Sequence, residues 1–282
     1  MKPPPFGYHA PRSLGEALAA LAAARDGKVL AGGQSLIPLL NMRLAAPAEI
    51  IDINRVAGLD TLEAGPAGVR VGALVRHARA ERSAEAARVQ PLLRLALRHV
   101  AHPAVRSRGT VVGSLAHADP AAELPAVLAL LGGTVEAASV RGRRTIGAAD
   151  FFAGPLESAL APDELAVAAT FPALPPRTGA AFAEIARRHG DYALAGVAAL
   201  VTVDEAGRPA AARAGYLGVA ATPLVLDLDV SGGRAAAAAD AAGRLDPETD
   251  IHASAEYRRH LAGVLTERVL HAAAGAARER GT

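Results

Sequence analysis

Two short turns of small residues are the chain's best candidates for chemistry. Ala31-Gly32-Gly33-Gln34-Ser35 follows a brief apolar run at residues 28–30 and precedes a helical-looking stretch at 36–44. Thr110-Val111-Val112-Gly113-Ser114 follows Arg106-Ser107-Arg108-Gly109 and leads into LAHADPAAELPAV. Such turns present backbone N–H groups at close range, and oriented amides hold an anion such as a diphosphate without any lysine. Glycine suits them because it lets the chain approach a ligand closely and adopts a positive φ without a steric cost. Either turn alone is a weak signal, since most Gly-Gly pairs are plain turns.

Other constellations carry less. His99, His102 and His117 with Asp119 and Glu123 match no metal-ligand spacing, and solvated or locally bonded side chains are the better reading. No serine sits in a G-x-S-x-G elbow, so acyl transfer has no support. The 30 basic and 28 acidic residues are mixed along the chain, which argues against a nucleic-acid partner or membrane insertion. With no cysteine, the chain can ligate no iron–sulfur cluster, and any such cluster must come from another polypeptide. The opening MKPPPFGYHAPRS lacks the apolar core of a signal peptide, and a cytoplasmic protein is expected.

The elements that must position the two turns follow from pattern. Ser13 and Glu16 have capping-box spacing ahead of a helix to residue 24. A strand at 28–31, a helix at 36–44 and a strand at 49–53 resemble a βαβ unit, but the glycines are not spaced G-x-G-x-x-G. Residues 56–67 look like a junction. A strand at 69–74 and helices at 75–81 and 85–100 follow, with Pro91, a residue that suits a helix start, inside the latter. The second turn leads to a helix at 124–131, closed by Gly132-Gly133. Strands are expected at 134–140, 144–146 and 164–171, then a Pro/Gly-rich boundary at 172–179. Beyond it come strands at 181–188, 196–204, 211–219 and 225–228, and helices at 234–242 and 254–278.

Three blocks, in order, carry more than either turn: AGGQSLIPLLNMRLAAPAEIIDI, HPAVRSRGTVVGSLAHADPAAELPAV and RRHGDYALAGVAALV. Together they resemble the FAD-binding medium subunit of molybdenum hydroxylases, the carbon monoxide dehydrogenase and xanthine dehydrogenase type, over nearly the whole chain. The resemblance implies an α+β protein. It would have a two-subdomain FAD-binding fold of the vanillyl-alcohol oxidase (PCMH) type at 1–57 and 58–175, and a C-terminal α+β domain at 176–282. It implies FAD as cofactor, with molybdopterin and iron–sulfur clusters confined to a large and a small partner subunit. The flavin would pass electrons from those clusters to an external acceptor, and no residue of this chain would act as a catalytic acid or base.

By the same resemblance, Ala31, Gly32, Gly33, Gln34 and Ser35 bind the FAD diphosphate together with Thr110, Val111, Val112, Gly113 and Ser114. Glu123 falls where relatives contact the ribose side, Tyr192 where a tyrosine covers the isoalloxazine, and Leu165 and Ala166 where an apolar stretch packs on the flavin. The sequence departs from the family pattern at Val112, which occupies the place of a glycine. A β-branched residue forced to positive φ there would cost about 1–3 kcal/mol, so Val112→Gly is expected to tighten FAD binding. Two alternatives stay open on these residues: a structural subunit that has lost its flavin, and a self-sufficient flavoprotein oxidase.

Overall fold

The computed structural model describes residues 2–281. A small parallel sheet opens the chain, built from β1 (Gly7–His9), β2 (Gly27–Leu30) and β3 (Glu49–Asp52) in the order β1-β3-β2. Helix α1 (Leu14–Ala23) lies between the first two strands, and α2 (Leu36–Asn41) crosses from the second to the third. The predicted capping box fixes the start of α1. Ser13 Oγ accepts from the Glu16 amide at 3.2 Å, and the Glu16 carboxylate accepts from the Arg12 and Ser13 amides at 2.8 and 3.4 Å. Ala17 and Leu21, four residues apart, then share the face that enters the core.

The middle of the chain forms a five-stranded antiparallel sheet in the order β4-β5-β10-β6-β7. Its first hairpin is β4 (Leu62–Gly65) with β5 (Gly68–Gly72). A junction is expected from the sequence where β4 lies, because Gly58 before it and Gly65 at its end disguise a four-residue strand. Six short helices follow: α3 (His77–Arg82), α4 (Ala84–Val89), α5 (Pro91–Leu97), α6 (Pro103–Arg106), α7 (Val111–His117) and α8 (Glu123–Leu131). The single helix expected at 85–100 is thus two. Buried Gln90 breaks it: its side chain accepts from the Leu92 amide at 3.2 Å and donates to the Pro172 carbonyl at 2.7 Å, while Pro91 opens α5. The sheet is completed by β6 (Thr134–Ser139), β7 (Gly142–Gly147) and, after α9 (Ala148–Phe151) and the small hairpin β8 (Phe152–Gly154) and β9 (Glu157–Ser158), by central β10 (Leu165–Pro172).

The last unit is an antiparallel meander of β11 (Thr178–Ala186), β12 (Ala193–Val203), β13 (Pro209–Leu217) and β14 (Leu224–Leu228). Helices α10 (Arg234–Gly243) and α11 (Ala255–Gly281) pack on it. Small side chains let helix and sheet come unusually close. A Cβ on Gly179 would stand 2.0 Å from the Ala273 carbonyl oxygen of α11. On the other face, α5 and α8 bridge to the middle unit, with α8 packed against β10 as well as β12, β13 and β14. One large core fills the first two units, and a second lies under α11.

Candidate functional site

The two turns meet. Gly32 has no room for a side chain, because a Cβ there would lie 2.6 Å from the Arg108 carbonyl oxygen and 2.7 Å from the Gly109 Cα. Gly33 takes φ +74°, a conformation L side chains rarely adopt. The Gln34 side chain folds back to donate to the Gly32 carbonyl at 3.2 Å. Among the described residues, the amides of Gly32, Gly33, Gln34 and Ser35 have no acceptor within the chain. Four consecutive unpaired N–H groups make a concave donor surface of the kind that binds anions.

The second stretch is a helix start rather than a free turn. Thr110 is the N-cap of α7, its Oγ1 accepting from the Gly113 amide at 3.1 Å, and Ser114 N donates to Thr110 O at 3.0 Å. A Cβ on Gly113 would stand 2.4 Å from that hydroxyl, which explains the glycine. Val112 lies within the helix, is 2% exposed and is absent from the residues with positive φ. The expected strain therefore does not exist. The isopropyl group points into the main core while the amide, the group a phosphate would use, has no acceptor in the chain. Val111 N is taken by the Val75 carbonyl at 3.1 Å.

Residues that no motif advertised hold the turns together. Asn54 Nδ2 donates to Ala31 O at 2.7 Å, and Arg76 donates to Asn54 Oδ1 at 2.6 Å and to Arg108 O at 2.7 Å. An isolated antiparallel bridge joins Arg76 and Thr110, and the His77 amide donates to Gly109 O at 2.9 Å. The only sequence trace of this set is the Asp52-x-Asn54 turn, in which Asp52 Oδ1 accepts from the Asn54 amide at 2.9 Å. His77 is buried behind the second turn with neither ring nitrogen bonded, and burial depresses its pKa to about 4.

A polar seam forms where α8 and the meander face each other. Glu123 opens α8, and its carboxyl is pushed up to about 8 by burial first, then by Glu184, with Asp119 adding to it. Glu184 on β11 has one carboxylate oxygen 3.5 Å from His99 Nδ1 and the other buried without a partner. Tyr192, in the loop from β11 to β12, is 63% exposed. Partial burial of its hydroxyl, followed by Asp119 and Glu123, holds the phenol above its ordinary value. That loop is anchored by Gly190, which packs onto the His102 ring at φ +86°. Leu165 and Ala166 begin β10 opposite Ala138 and Ala137, are buried in the main core, and bond to neither turn.

The four free amides of residues 32–35 are brought beside the start of α7, where the Val112 amide is also free, and comparison with known proteins bears on what such an arrangement would hold. Residues 4–174 match the family described as "FAD binding domain in molybdopterin dehydrogenase". The chain belongs to that family. Its residues 233–273 also match the carbon monoxide dehydrogenase flavoprotein C-terminal domain. It is 43% identical to the 6-hydroxypseudooxynicotine dehydrogenase complex subunit alpha of Paenarthrobacter nicotinovorans, over 96% of this chain and 95% of that one. It is 35% identical to the carbon monoxide dehydrogenase medium chain of Hydrogenophaga pseudoflava, over 97% and 98% of the two. Quinoline 2-oxidoreductase from Pseudomonas putida 86 superposes with a TM-score of 0.92 at 39% identity, covering 98% of this chain and 99% of that one.

The medium subunit so identified is part of an FAD-dependent oxidoreductase, and its residues fit the cofactor. Gly32 permits the close approach of the two turns, Gly33 supplies the positive φ, and the free amides supply donors without a charged side chain in either motif. No helix among the described residues is long and apolar enough to cross a membrane.

Proposed function

We propose that this chain is the cytoplasmic electron-transfer subunit of a molybdenum hydroxylase complex. It would sit between a small iron–sulfur subunit and an external acceptor, beside a large molybdopterin subunit. The observation that carries this reading is the contact at Gly32 and Arg108 that sets the free amides of residues 32–35 beside the start of α7. Bound FAD supplies reversible electron uptake and release. The free amides of Gly32, Gly33, Gln34, Ser35 and Val112 would hold and orient the diphosphate, with Gly113 keeping the helix start free of side-chain bulk. Glu123 accepts from the ribose side, and the exposed Tyr192 ring, carried on a loop of the C-terminal sheet, covers the flavin face from solvent. We read Leu165 and Ala166 as the apolar wall behind it. The three larger sheets support a division at 1–57, 58–175 and 176–282, with the cofactor between the first two units.

The flavin-free alternative loses its motive once Val112 is helical. The test is absorbance of the purified complex and titration of the stripped protein with FAD. One flavin per chain is expected; no flavin bands, and none after incubation with FAD, would defeat the proposal.

A further inference from the structure

The chain's Arg76, which neither motif contains, stands where the two turns join. One Nη donates to Asn54 Oδ1 at 2.6 Å and the other to Arg108 O at 2.7 Å. That same Arg108 oxygen is the atom a Cβ on Gly32 would strike at 2.6 Å. Asn54 in turn donates to Ala31 O at 2.7 Å and to Asp52 Oδ1 at 2.6 Å, and Tyr8 OH donates to Asp52 Oδ2 at 2.6 Å. A closed ring thus runs from Ala31 through Asn54, Arg76 and Arg108 back to Gly32. Polar contacts across 22 to 32 residues fix the spacing of the two turns.

The ring also carries an uncompensated charge. Arg76 is half-buried and has no carboxylate at ion-pair distance among the described residues. Burial, then the neighbouring Arg108 guanidinium, disfavours its charged form, and Asp52 offsets this only in part. Two cations held together without a counter-ion cost stability unless an anion joins them. A guanidinium has five N–H donors, so donors remain after the two bonds made inside the chain. Arg76 itself is open to solvent, since it also borders a surface groove with Arg79, Arg82 and Ser107.

We propose that Arg76 is a diphosphate-binding residue, its guanidinium aimed by Asn54 and the Arg108 carbonyl to meet the phosphates cradled by the two turns. This rests on the FAD reading above and adds a charged side chain to a cradle otherwise made of backbone. Asn54 is then a positioning residue, acting through Arg76 and Ala31.

The test titrates the flavin-stripped full-length chain, parent and variants, with FAD, ADP and riboflavin at several salt concentrations. Arg76→Met is expected to weaken FAD and ADP about tenfold to a hundredfold. Riboflavin, which has no diphosphate, should change less than about twofold, and the salt dependence of ADP binding should flatten. Asn54→Ala is expected to weaken FAD while keeping that salt dependence, which separates positioning from charge. If Arg76→Met does not fold, Arg76→Lys decides: weaker ADP binding with salt dependence retained supports the assignment, and unchanged binding overturns it. ADP binding by Arg76→Met within about twofold of the parent, or an equal loss for riboflavin, overturns it too. A parent chain that binds neither FAD nor ADP overturns the functional reading itself, a distinct outcome.

Discussion

Gly32→Ala is the sharpest probe of the site, because a single methyl group would be placed against backbone rather than against a side chain that can swing away. The added carbon would sit 2.6 Å from Arg108 O and 2.7 Å from Gly109 Cα. Non-bonded carbon contacts are most favourable at about 3.5–4.0 Å, so the two turns must part by nearly 1 Å. Overpacking of that size costs about 1–3 kcal/mol. The separation also pulls on the 2.7 Å bonds from Asn54 to Ala31 O and from Arg76 to Arg108 O. A diphosphate that needs both turns at once should lose about tenfold to a hundredfold in affinity, since each 1.4 kcal/mol is a factor of ten. The assay is FAD titration of the stripped protein alongside its Tm. Gly15→Ala, on α1 with nothing within 4 Å of the added carbon, is the control, and should leave FAD binding unchanged. Parental affinity and Tm in Gly32→Ala would refute the claim that the turns are in contact.

Three further outcomes follow from particular side chains. Val112→Gly removes a buried isopropyl group and places glycine inside α7, so it should lower stability by about 2–4 kcal/mol and Tm by roughly 5–10 °C, not tighten FAD binding; differential scanning fluorimetry with and without FAD checks both. Glu123 is raised from 4.5 to about 8, so the folded chain holds a proton that the unfolded chain has lost, and stability falls as pH rises across that window. Glu123→Gln should therefore exceed the parent in Tm on the alkaline side and converge with it near the acid end. Because His77, depressed from 6.5 to about 4, destabilises the fold as pH falls through that range, the comparison is best read above 6.5. Tyr192→Ala removes a side chain that is 63% exposed; stability should change by less than about 0.5 kcal/mol while flavin absorbance and reoxidation by external acceptors shift, and a flavin spectrum identical to the parent's would remove Tyr192 from the site.

How far the sequence discloses the fold depends on element length. Helix α1 is legible because Ser13 and Glu16 state its start chemically, and α8 because Gly132, at φ +62°, states its end. The meander is legible because β11 to β13 run nine to eleven residues, long enough for apolar pattern to outweigh noise. The three-residue β1 and β8 and the two-residue β9 carry no such pattern, and β4 hides behind glycines. The division of the helix at Gln90 depends on a hydrogen bond to Pro172, 82 residues away, which no local window contains.

The site divides along the same line. Glycine positions and turn spacing are local, and they pick out two stretches that the fold brings together; what a residue does at such a position is settled by backbone geometry that spacing does not encode. Val112 shows the difference. Placed by analogy on a glycine's site, a valine looks like a defect, yet Thr110 caps a helix there, and in a helix the side chain turns away into the core while the amide keeps no acceptor in the chain and stays free for a ligand. A phosphate reads amides, not side chains, so the glycine at that place can be dispensed with as long as φ stays negative, whereas Gly32 cannot, because backbone occupies the space of its missing Cβ. The cradle is therefore constrained by contact between the turns rather than by a glycine count, and Asn54 and Arg76, 22 residues apart, are the side chains that impose that contact.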